Sequence, residues 1–357
     1  MKILTVVGAR PQFIKAATVS RQLKKVGIKE AILHTGQHFD HNMSQVFFEE
    51  MEIPTPDYNL NIHGLNHGAM TGRMLEGIER ILLKDKPNLM MVYGDTNSTL
   101  AGALAAQKLH IPVAHVEAGL RSYNMSMPEE TNRILTDRIS NYLFCPTQTA
   151  VNNLNKEGFS SFNCTIENSG DVMLDAALFY GERSSKKSTA IKNHGLDSDF
   201  VLATVHRQEN TDNPDRLKSI VESFNTINQD VKVVVPLHPR TSKKISELKL
   251  KVDFLTIPPV GYFDMVELLK SCTVVMTDSG GLQKEAFFFK KSCITLRQET
   301  EWTELVDGGY NYLAGNQQDE VISSFRKALK QTPDFSKQLY GSGNAATKIV
   351  NTLRTLP

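Results

Sequence analysis

Short apolar runs alternate along this chain with longer stretches in which apolar residues recur at helical spacing. In the first half the runs have the length and composition of buried strands, and amphipathic stretches lie between and after them. This alternation predicts a mostly parallel sheet with helices packed on both of its faces. The predicted strands are 3–7, 31–34, 89–93, 113–116 and 143–146, and the predicted helices are 12–26, 43–51, 70–84, 97–109 and 130–141.

The second half of the chain repeats the pattern after a polar, glycine-containing stretch at 168–171. Its predicted strands are 200–204, 231–235, 254–257, 274–277 and 292–296, and residues 186–199 indicate a surface loop or helix end. We therefore predict the α/β fold class, with two Rossmann-like, doubly wound domains. The first domain covers residues 1–168 and the second begins at residue 169. The carboxyl ends of both sheets are expected to face one cleft, where ligands of such domains bind.

Composition limits what such a cleft can bind. The 357 residues are enough for two domains, and 40 basic side chains against 39 acidic ones leave a formal net charge of +1. A near-neutral chain has no general attraction for nucleic acid or for anionic lipid. Neither is expected as a partner, and an anionic ligand needs a local site.

No apolar stretch approaches the length of a membrane span. The first apolar run ends at Gly8-Ala9-Arg10, so it predicts a strand rather than a signal peptide. The four cysteines include no C-x-x-C pair, which argues against a zinc site and against a disulfide framework. We expect a cytoplasmic protein with reduced thiols.

The turn GARPQ at 8–12 follows the first predicted strand and opens a helix. Free backbone N–H groups at such a point attract anions, and Arg10 can hold a phosphate with two hydrogen bonds. A plain strand-to-helix turn with a solvated arginine explains the residues equally well. No G-x-G-x-x-G motif occurs in the chain, so a nicotinamide dinucleotide is not expected.

A second turn, TDSGG at 277–281, ends a predicted strand in the other half and precedes a helix. Ser279, Gly280 and Gly281 suit a pyrophosphate, because glycines let backbone amides approach the anion. Glu285 lies one helical turn further on, where a carboxylate can accept two ribose hydroxyls. The alternative is an ordinary glycine-bearing loop.

Three acidic motifs follow predicted strands or open a helix in the first half. Asp95 and Glu117 each come just after a strand, and Glu129 and Glu130 begin a helix. Like charges gathered at one sheet edge repel and raise one another's pKa, which suits a general base and a general acid. Singly, Asp95 can be a helix cap and Glu129 can favour the helix dipole. The cluster can also ligate Mg²⁺.

Two histidine motifs follow strands of the second half. His206-Arg207 suits a diphosphate, with His206 able to carry a proton. Residues 236–240, PLHPR, repeat the arrangement one βα unit later, where a rigid turn with solvated side chains is at least as good an interpretation.

These motifs, in this order, closely resemble the non-hydrolysing UDP-N-acetylglucosamine 2-epimerase family over essentially the whole chain. Several specific motifs in fixed order make a chance match negligible. The motifs are GARPQFIK at 8–15, GDTNST at 94–99, HVEAGLRS at 115–122, MPEETNR at 127–133, HRQEN at 206–210, TDSGGLQKEA at 277–286 and YGSGNAA at 340–346.

The resemblance implies the glycosyltransferase-B architecture, in which the second domain ends at 344 and a helix over 345–357 returns to the first. It also implies a homodimer, no cofactor and no metal, and activation by a second UDP-sugar. The implied catalytic residues are Asp95, Glu117, Glu129 and His206. Those implied to bind UDP are Arg10, His206, Arg207, Ser279, Gly280, Gly281 and Glu285. Lys15, Glu130, Arg133 and Glu301 are placed near the sugar, and Gln37, His38 and Arg73 near the activator.

The implied reaction inverts C2 of a UDP-N-acetylhexosamine. The C2 proton is barely acidic and no NAD is available, so the family eliminates UDP to a 2-acetamidoglucal and adds it back. Transition-state charge develops on the leaving diphosphate, which the anion-binding residues would stabilise. The product would serve surface polysaccharide synthesis.

Two departures from the family pattern affect the expected sugar. The usual T-E-R-P-E segment is here Thr300-Glu301-Trp302-Thr303-Glu304, and the opening G-T-R-P-E has Ala9 and Gln12. With the Phe287-Phe288-Phe289 run, these make the chain look closer to the branch acting on UDP-2,3-diacetamido-2,3-dideoxyglucuronic acid. Losing an arginine is not what a uronate favours electrostatically, so both sugars stay open. A glycosyltransferase of the same fold is the alternative enzyme, and a UDP-sugar-binding regulator without turnover is a third reading.

Overall fold

The structure, a computed structural model, describes residues 1–37 and 55–356. The chain divides into two compact units. The first contains Met1–Leu178 and Gln338–Pro357, and the second contains Phe179–Lys337. The predicted helix over 43–51 lies outside the described residues.

The first unit is built around a parallel sheet, with seven strands among the described residues in the order β3-β2-β1-β4-β5-β6-β7. The strands β1, β2, β4 and β5 contain apolar runs because helices cover both faces of the sheet. The strands are β1 (Lys2–Val7), β2 (Lys29–His34), β3 (Tyr58–Asn59), β4 (Leu89–Tyr93), β5 (Val113–Val116), β6 (Tyr142–Cys145) and β7 (Thr165–Asn168).

Helices of the first unit alternate with these strands, as the pattern predicts. They are α1 (Arg10–Lys25), α2 (His67–Asp85), α3 (Asn97–Lys108), α4 (Pro128–Ile139), α5 (Gln148–Lys156), α6 (Val172–Lys187) and the C-terminal α15 (Ala345–Arg354). The unit boundary falls within α6. Helix α15 contacts α1, and Asp175 of α6 accepts hydrogen bonds from the first two N–H groups of α15. The C-terminal helix is thereby capped within the first unit.

The second unit has a parallel sheet of six described strands in the order β10-β9-β8-β11-β12-β13. Alternate residues of β8 enter two different apolar clusters: Val201 and Ala203 join one, and Phe200 and Leu202 join the other. The strands are β8 (Phe200–Thr204), β9 (Lys232–Pro236), β10 (Leu255–Ile257), β11 (Val274–Thr277), β12 (Ser292–Thr295) and β13 (Asn311–Leu313). The remaining helices are α7 (Ala190–Asn193), α8 (Gln208–Thr211), α9 (Pro214–Asn228), α10 (Pro239–Glu247), α11 (Tyr262–Ser271), α12 (Gly280–Phe288), α13 (Thr303–Asp307) and α14 (Gln318–Lys330).

The ten predicted strands are all present, with ends shifted by a residue or two at most. Three short strands were not predicted. Strand β3 has two residues, β13 has three, and β7 is an edge strand whose residues are all at least partly exposed. Short or exposed strands lack the apolar run that marks the others.

Each sheet reverses its strand order once, between β1 and β4 in the first unit and between β8 and β11 in the second. At such a point the loops leaving the two strands diverge and open a crevice, which is where doubly wound sheets bind ligands. The GARPQ and GDTNST motifs follow β1 and β4, and HRQEN and TDSGG follow β8 and β11. No helix in the described part of the chain is long and apolar enough to cross a membrane.

Candidate active site

The turn after β1 requires glycine and is closed by Gln12. A Cβ at Gly8 would lie 2.2 Å from both the Thr35 and the Ser98 hydroxyl oxygens. The Gln12 amide oxygen accepts the N–H groups of Gly8 and Ala9 at 2.8 and 3.0 Å, and its nitrogen donates to the Tyr93 carbonyl at 2.8 Å. These two N–H groups, which the sequence suggested were free for an anion, are therefore already used. The side chain of Arg10 lies outside the described part of the structure.

Glu117 lies in a strained turn directly after β5. Its backbone has φ +73°, in the left-handed region that glycine favours, and 7% of its surface is exposed. Lys15 of α1 is buried beside it, with its Nζ 2.5 Å from Glu117 Oε1. Gly94 packs beneath the pair, since a Cβ there would lie 3.1 Å from Lys15 Nζ. The paired ammonium favours the charged carboxylate.

Asp95 follows β4 and contacts a different cation. Its Oδ2 lies 2.5 Å from Nη1 of Arg133 on α4, and 30% of its side chain stays exposed. Burial raises the pKa of Asp95, and the charges of Glu117 and Glu129 act in the same direction, against Arg133 and Lys15. Thr96 caps helix α3, so Asp95 does not act as its N-cap.

The two glutamates in the first turn of α4 have different surroundings. Glu130 is fully buried and accepts hydrogen bonds from the backbone of Ser122 and Tyr123, as well as from Arg133. Burial works to raise the pKa of Glu130, but these donors outweigh it and the pKa is lowered. Its carboxylate holds the loop after β5 in place. Glu129 is half-buried and close enough to influence Asp95.

A buried ion network connects the loops that carry Asp95 and Glu117. His115 Nδ1 lies 2.7 Å from Asp137, and its Nε2 lies 2.7 Å from the carbonyl oxygen of Gly94. Asp137 also accepts hydrogen bonds from Gly119 N and from Arg121. A carbonyl can only accept, and an ionised carboxylate can only accept, so both ring nitrogens of His115 donate. Burial acts to raise the pKa of Asp137, but the donors from His115 and Arg121 lower it, in keeping with an ionised carboxylate.

The residues predicted near an activator are only partly described. The Gln37 amide oxygen accepts a hydrogen bond from the Ser98 hydroxyl at 2.9 Å. Gln37 therefore lies beside the crevice where the strand order of the first sheet reverses. Arg73 is exposed on α2. His38 lies outside the described residues.

In the second unit, helix α12 begins at the end of the TDSGG motif. Ser279 caps the helix through its hydroxyl, and Gly280 and Gly281 form the first turn, whose N–H groups have no partner within a helix. A Cβ at Gly280 would lie 2.3 Å from Glu301 Oε1. Glu301 is buried and pairs with Arg297 at 3.1 Å. The glycine therefore lets Glu301 come close to the helix start.

Further along α12, Glu285 and Lys284 have aromatic neighbours. Glu285 accepts a hydrogen bond from the Tyr262 hydroxyl at 3.0 Å. Lys284 is buried, with its Nζ 4.1 Å above the ring of Trp302. A cation over an aromatic face is a stabilising arrangement when water is excluded.

His206 and Arg207 begin the loop after β8, and Asp278 holds that loop. Asp278 is fully buried and accepts the backbone N–H groups of both residues, with His206 Nδ1 at 3.3 Å from its Oδ1. The His206 side chain is 45% exposed. The ring of His238 lies 6.4 Å away, but His238 caps α10 by accepting from Arg240 N. The PLHPR motif thus has a structural use.

Asp137 and Asp278 are functional-site neighbours that sequence reasoning missed. Asp137 looks like a surface charge on an amphipathic helix, and Asp278 lies inside a motif noticed for its glycines. Among the described residues, no group of three or more histidine, cysteine, aspartate or glutamate side chains is arranged to hold a metal ion.

Comparison with known proteins gives matches over the full length of the chain. The family model described as UDP-N-acetylglucosamine 2-epimerase matches residues 21–354. A UDP-2,3-diacetamido-2,3-dideoxy-D-glucuronate 2-epimerase of Pseudomonas aeruginosa is 55% identical over 100% of both chains. A UDP-N-acetylglucosamine 2-epimerase of Methanocaldococcus jannaschii is 43% identical over 99% of both.

Solved structures agree with the sequence matches. The crystal structure of the M. jannaschii UDP-GlcNAc 2-epimerase in complex with UDP-GlcNAc and UDP superposes with a TM-score of 0.92, at 42% identity over 99% of both chains. The Neisseria meningitidis enzyme bound to UDP-GlcNAc gives 0.91, at 32% identity over 100% of both. The predicted α/β fold of two parallel sheets is confirmed, and the chain belongs to the UDP-N-acetylglucosamine 2-epimerase family.

Proposed function

We propose that this chain inverts C2 of a UDP-linked N-acetylhexosamine by eliminating UDP and adding it back. The observation that carries the proposal is the contrast between two carboxylates of the first unit. Glu117 faces a buried ammonium at 2.5 Å, whereas the pKa of Asp95 is raised. One carboxylate is thus suited to accept a proton and the other to deliver one.

In the proposed reaction, Glu117 removes the C2 proton while the C1–O bond to the diphosphate breaks. The electron pair of the C2–H bond forms the C1–C2 double bond, and the electrons of the C1–O bond leave with UDP. Asp95 then delivers a proton to the opposite face of C2 as a phosphate oxygen re-forms the bond to C1. The charge of Glu129 acts to raise the pKa of Asp95, which favours its role as the proton donor. In the reverse direction the two carboxylates exchange roles.

The second unit supplies groups that suit the nucleotide. The N–H groups at the start of α12 and the Ser279 hydroxyl suit the diphosphate, which His206 and Arg207 also hold. Glu285 accepts the ribose hydroxyls. Arg10 adds a phosphate contact, and Lys15, Arg133 and Glu301 contact the sugar.

For the sugar, we favour the 2,3-diacetamido-glucuronate. The relative named for that activity is 55% identical, and Trp302 under a buried Lys284 occupies the position of the family's usual arginine. UDP-N-acetylglucosamine is the second candidate, because relatives at 42–43% identity are named for it. The manno product would feed surface polysaccharide synthesis.

The test is NMR of the purified protein in D₂O with each UDP-sugar in parallel. We expect the manno epimer to appear with deuterium at C2, faster from the diacetamido-uronate. A glycosyltransferase would consume the UDP-sugar irreversibly when given an acceptor and would leave C2 unlabelled. Recovery of both sugars without deuterium would contradict epimerisation, and faster turnover of UDP-N-acetylglucosamine would contradict the sugar assignment.

Replacing Glu285 by alanine is expected to weaken UDP binding by about tenfold or more, because a charged acceptor of ribose hydroxyls is lost. Calorimetry with UDP measures the effect. Inorganic pyrophosphate, which has no ribose, should bind the variant as it binds the wild type. Glu247→Ala, on the exposed side of α10, is the matched control. Unchanged UDP affinity in the Glu285 variant would remove this residue from the ribose site.

Three further expectations complete the proposal. The protein acts as a homodimer, and a second UDP-sugar activates it near Gln37, His38 and Arg73. The M. jannaschii enzyme was crystallised in complex with UDP-GlcNAc and UDP, which supports the idea that two nucleotides can be present together. The cytoplasm is the expected location, where nucleotide sugars are at hand.

A further inference from the structure

A buried carboxylate in the second unit has no place in the proposed reaction so far. Asp278 follows β11 and is completely shielded from solvent. Its Oδ2 accepts the backbone N–H groups of His206 and Arg207 at 3.1 and 2.9 Å and the side-chain amide of Asn210 at 3.1 Å. Asn210 also donates to the Leu296 carbonyl at the end of β12. The carboxylate therefore holds the loop after β8 against two neighbouring strand ends.

The other oxygen of Asp278 faces the His206 ring. Oδ1 lies 3.3 Å from His206 Nδ1 and 3.2 Å from the backbone nitrogen of the same residue. At this distance the two groups form an ion pair when the ring is protonated, and Nδ1 then carries a hydrogen that faces the carboxylate. A partner on one ring nitrogen decides which nitrogen carries the hydrogen, and this leaves Nε2 free of the Asp278 contact.

The two oxygens of Asp278 have different partners, and this difference matters for function. Backbone donors alone would be satisfied by Oδ2, so loop structure does not require a charge at Oδ1. A carboxylate beside an imidazole also stabilises the charged form of the ring when it develops. That property is useful next to a leaving diphosphate, which gains negative charge as the C1–O bond breaks.

We infer that Asp278 is a positioning residue for His206: it holds the ring with its hydrogen on Nδ1 and stabilises the imidazolium, whose Nε2–H donates to the departing diphosphate. This inference rests on the proposed elimination of UDP. Asp278 touches neither substrate nor reacting atom and acts only through His206. The contact between His206 Nε2–H and the diphosphate is a hydrogen bond, and no proton transfer to UDP is required.

Asp278→Asn separates this role from a structural one. The amide oxygen can take the place of Oδ2 and keep its three donors, so the loop and the fold are preserved. The amide nitrogen then faces His206 Nδ1 and donates to it, so the ring stays neutral with its hydrogen on Nε2, which makes it a weaker donor to the diphosphate than the imidazolium. We expect kcat to fall by about 10²–10⁴-fold while KM and UDP affinity change by less than about threefold.

Three readouts distinguish the outcomes in the full-length protein. Nitrogen-15 NMR of histidine in the UDP complex should show hydrogen on both ring nitrogens of His206 in the wild type and on Nε2 alone in the variant. In a His206→Asn background, Asp278→Asn should lower kcat little further, because its effect passes through the missing ring. Asp212→Asn, an exposed aspartate paired with Arg240 in the same unit, should change neither kcat nor the NMR signals.

An unaltered kcat in Asp278→Asn would overturn the inference, and so would a loss that is undiminished in the His206→Asn background. A loss that tracks a lowered melting midpoint would also overturn it, because the residue would then be structural. If the wild type epimerises no UDP-sugar, the proposed function fails, while the NMR comparison with UDP alone still tests the Asp278 contact.

Discussion

Replacing Glu117 by glutamine is expected to lower kcat for epimerisation by about 10²–10⁴-fold, because an amide cannot take the C2 proton. The substitution preserves the size of the side chain and the left-handed backbone at this position. Deuterium uptake at C2 of the UDP-sugar in D₂O should fall with kcat. UDP affinity should change little, since Glu117 is assigned to the sugar carbon rather than to the diphosphate.

The same variant leaves Lys15 buried beside a neutral partner. A modest loss of stability is therefore expected, and the melting midpoint should be measured alongside the rate. Glu76→Gln, on the exposed face of α2 in the same unit, is the matched control. If Glu117→Gln retained kcat within about threefold, the base would have to be another group.

Replacing Asp137 by asparagine is expected to cost about 3–5 kcal/mol of stability near neutral pH, because Arg121 would lose a buried charged partner and His115 would lose a charged acceptor. The loops that carry Asp95 and Glu117 both depend on this network through Gly94 and Gly119. Thermal unfolding measures the loss, and hydrogen exchange at the Gly119 amide reports it locally. The exposed pair of Asp253 with Lys251 offers a control, because Asp253→Asn should cost less than about 1 kcal/mol.

The stability that Asp137 contributes depends on pH in a defined direction. The pKa of the folded protein's carboxyl is below its ordinary value of 3.8. Its contribution is thus fully present above that value and is lost as the pH falls through the lower, folded pKa. The gap in melting midpoint between wild type and Asp137→Asn should be widest near neutral pH and should narrow under strong acid. A gap independent of pH would show that packing, not charge, is responsible.

The sequence predicted the two sheets well because their strands are buried on both faces and therefore read as continuous apolar runs. From the order of β1, β4, β8 and β11 it also follows that GARPQ, GDTNST, HRQEN and TDSGG should lie at strand ends. The helix cap at Thr96 and the short strands β3 and β13 could not be predicted with the same ease. They depend on single residues or on two or three pairings, and no periodic pattern marks them.

Contacts between residues that are far apart in the chain could not be predicted from the sequence. Lys15 and Glu117 are 102 positions apart and meet only because α1 and β5 pack in one unit. Gln12 seemed to mark a departure from the family at a phosphate turn, whereas in the structure its amide occupies the N–H groups of that turn. Asp137 is four residues after Arg133 on α4, a spacing typical of a solvated helix face, yet both are buried. Which polar residue is buried is decided by tertiary packing.

The left-handed backbone at Glu117 has a consequence for anyone who evolves or engineers this enzyme. A glycine would adopt that conformation without steric strain, but it would leave Lys15 buried without its carboxylate, so selection for heat resistance alone exerts two opposite pressures at this position. The strained turn lowers stability locally, and in exchange it places a carboxylate at the position where the reaction needs one.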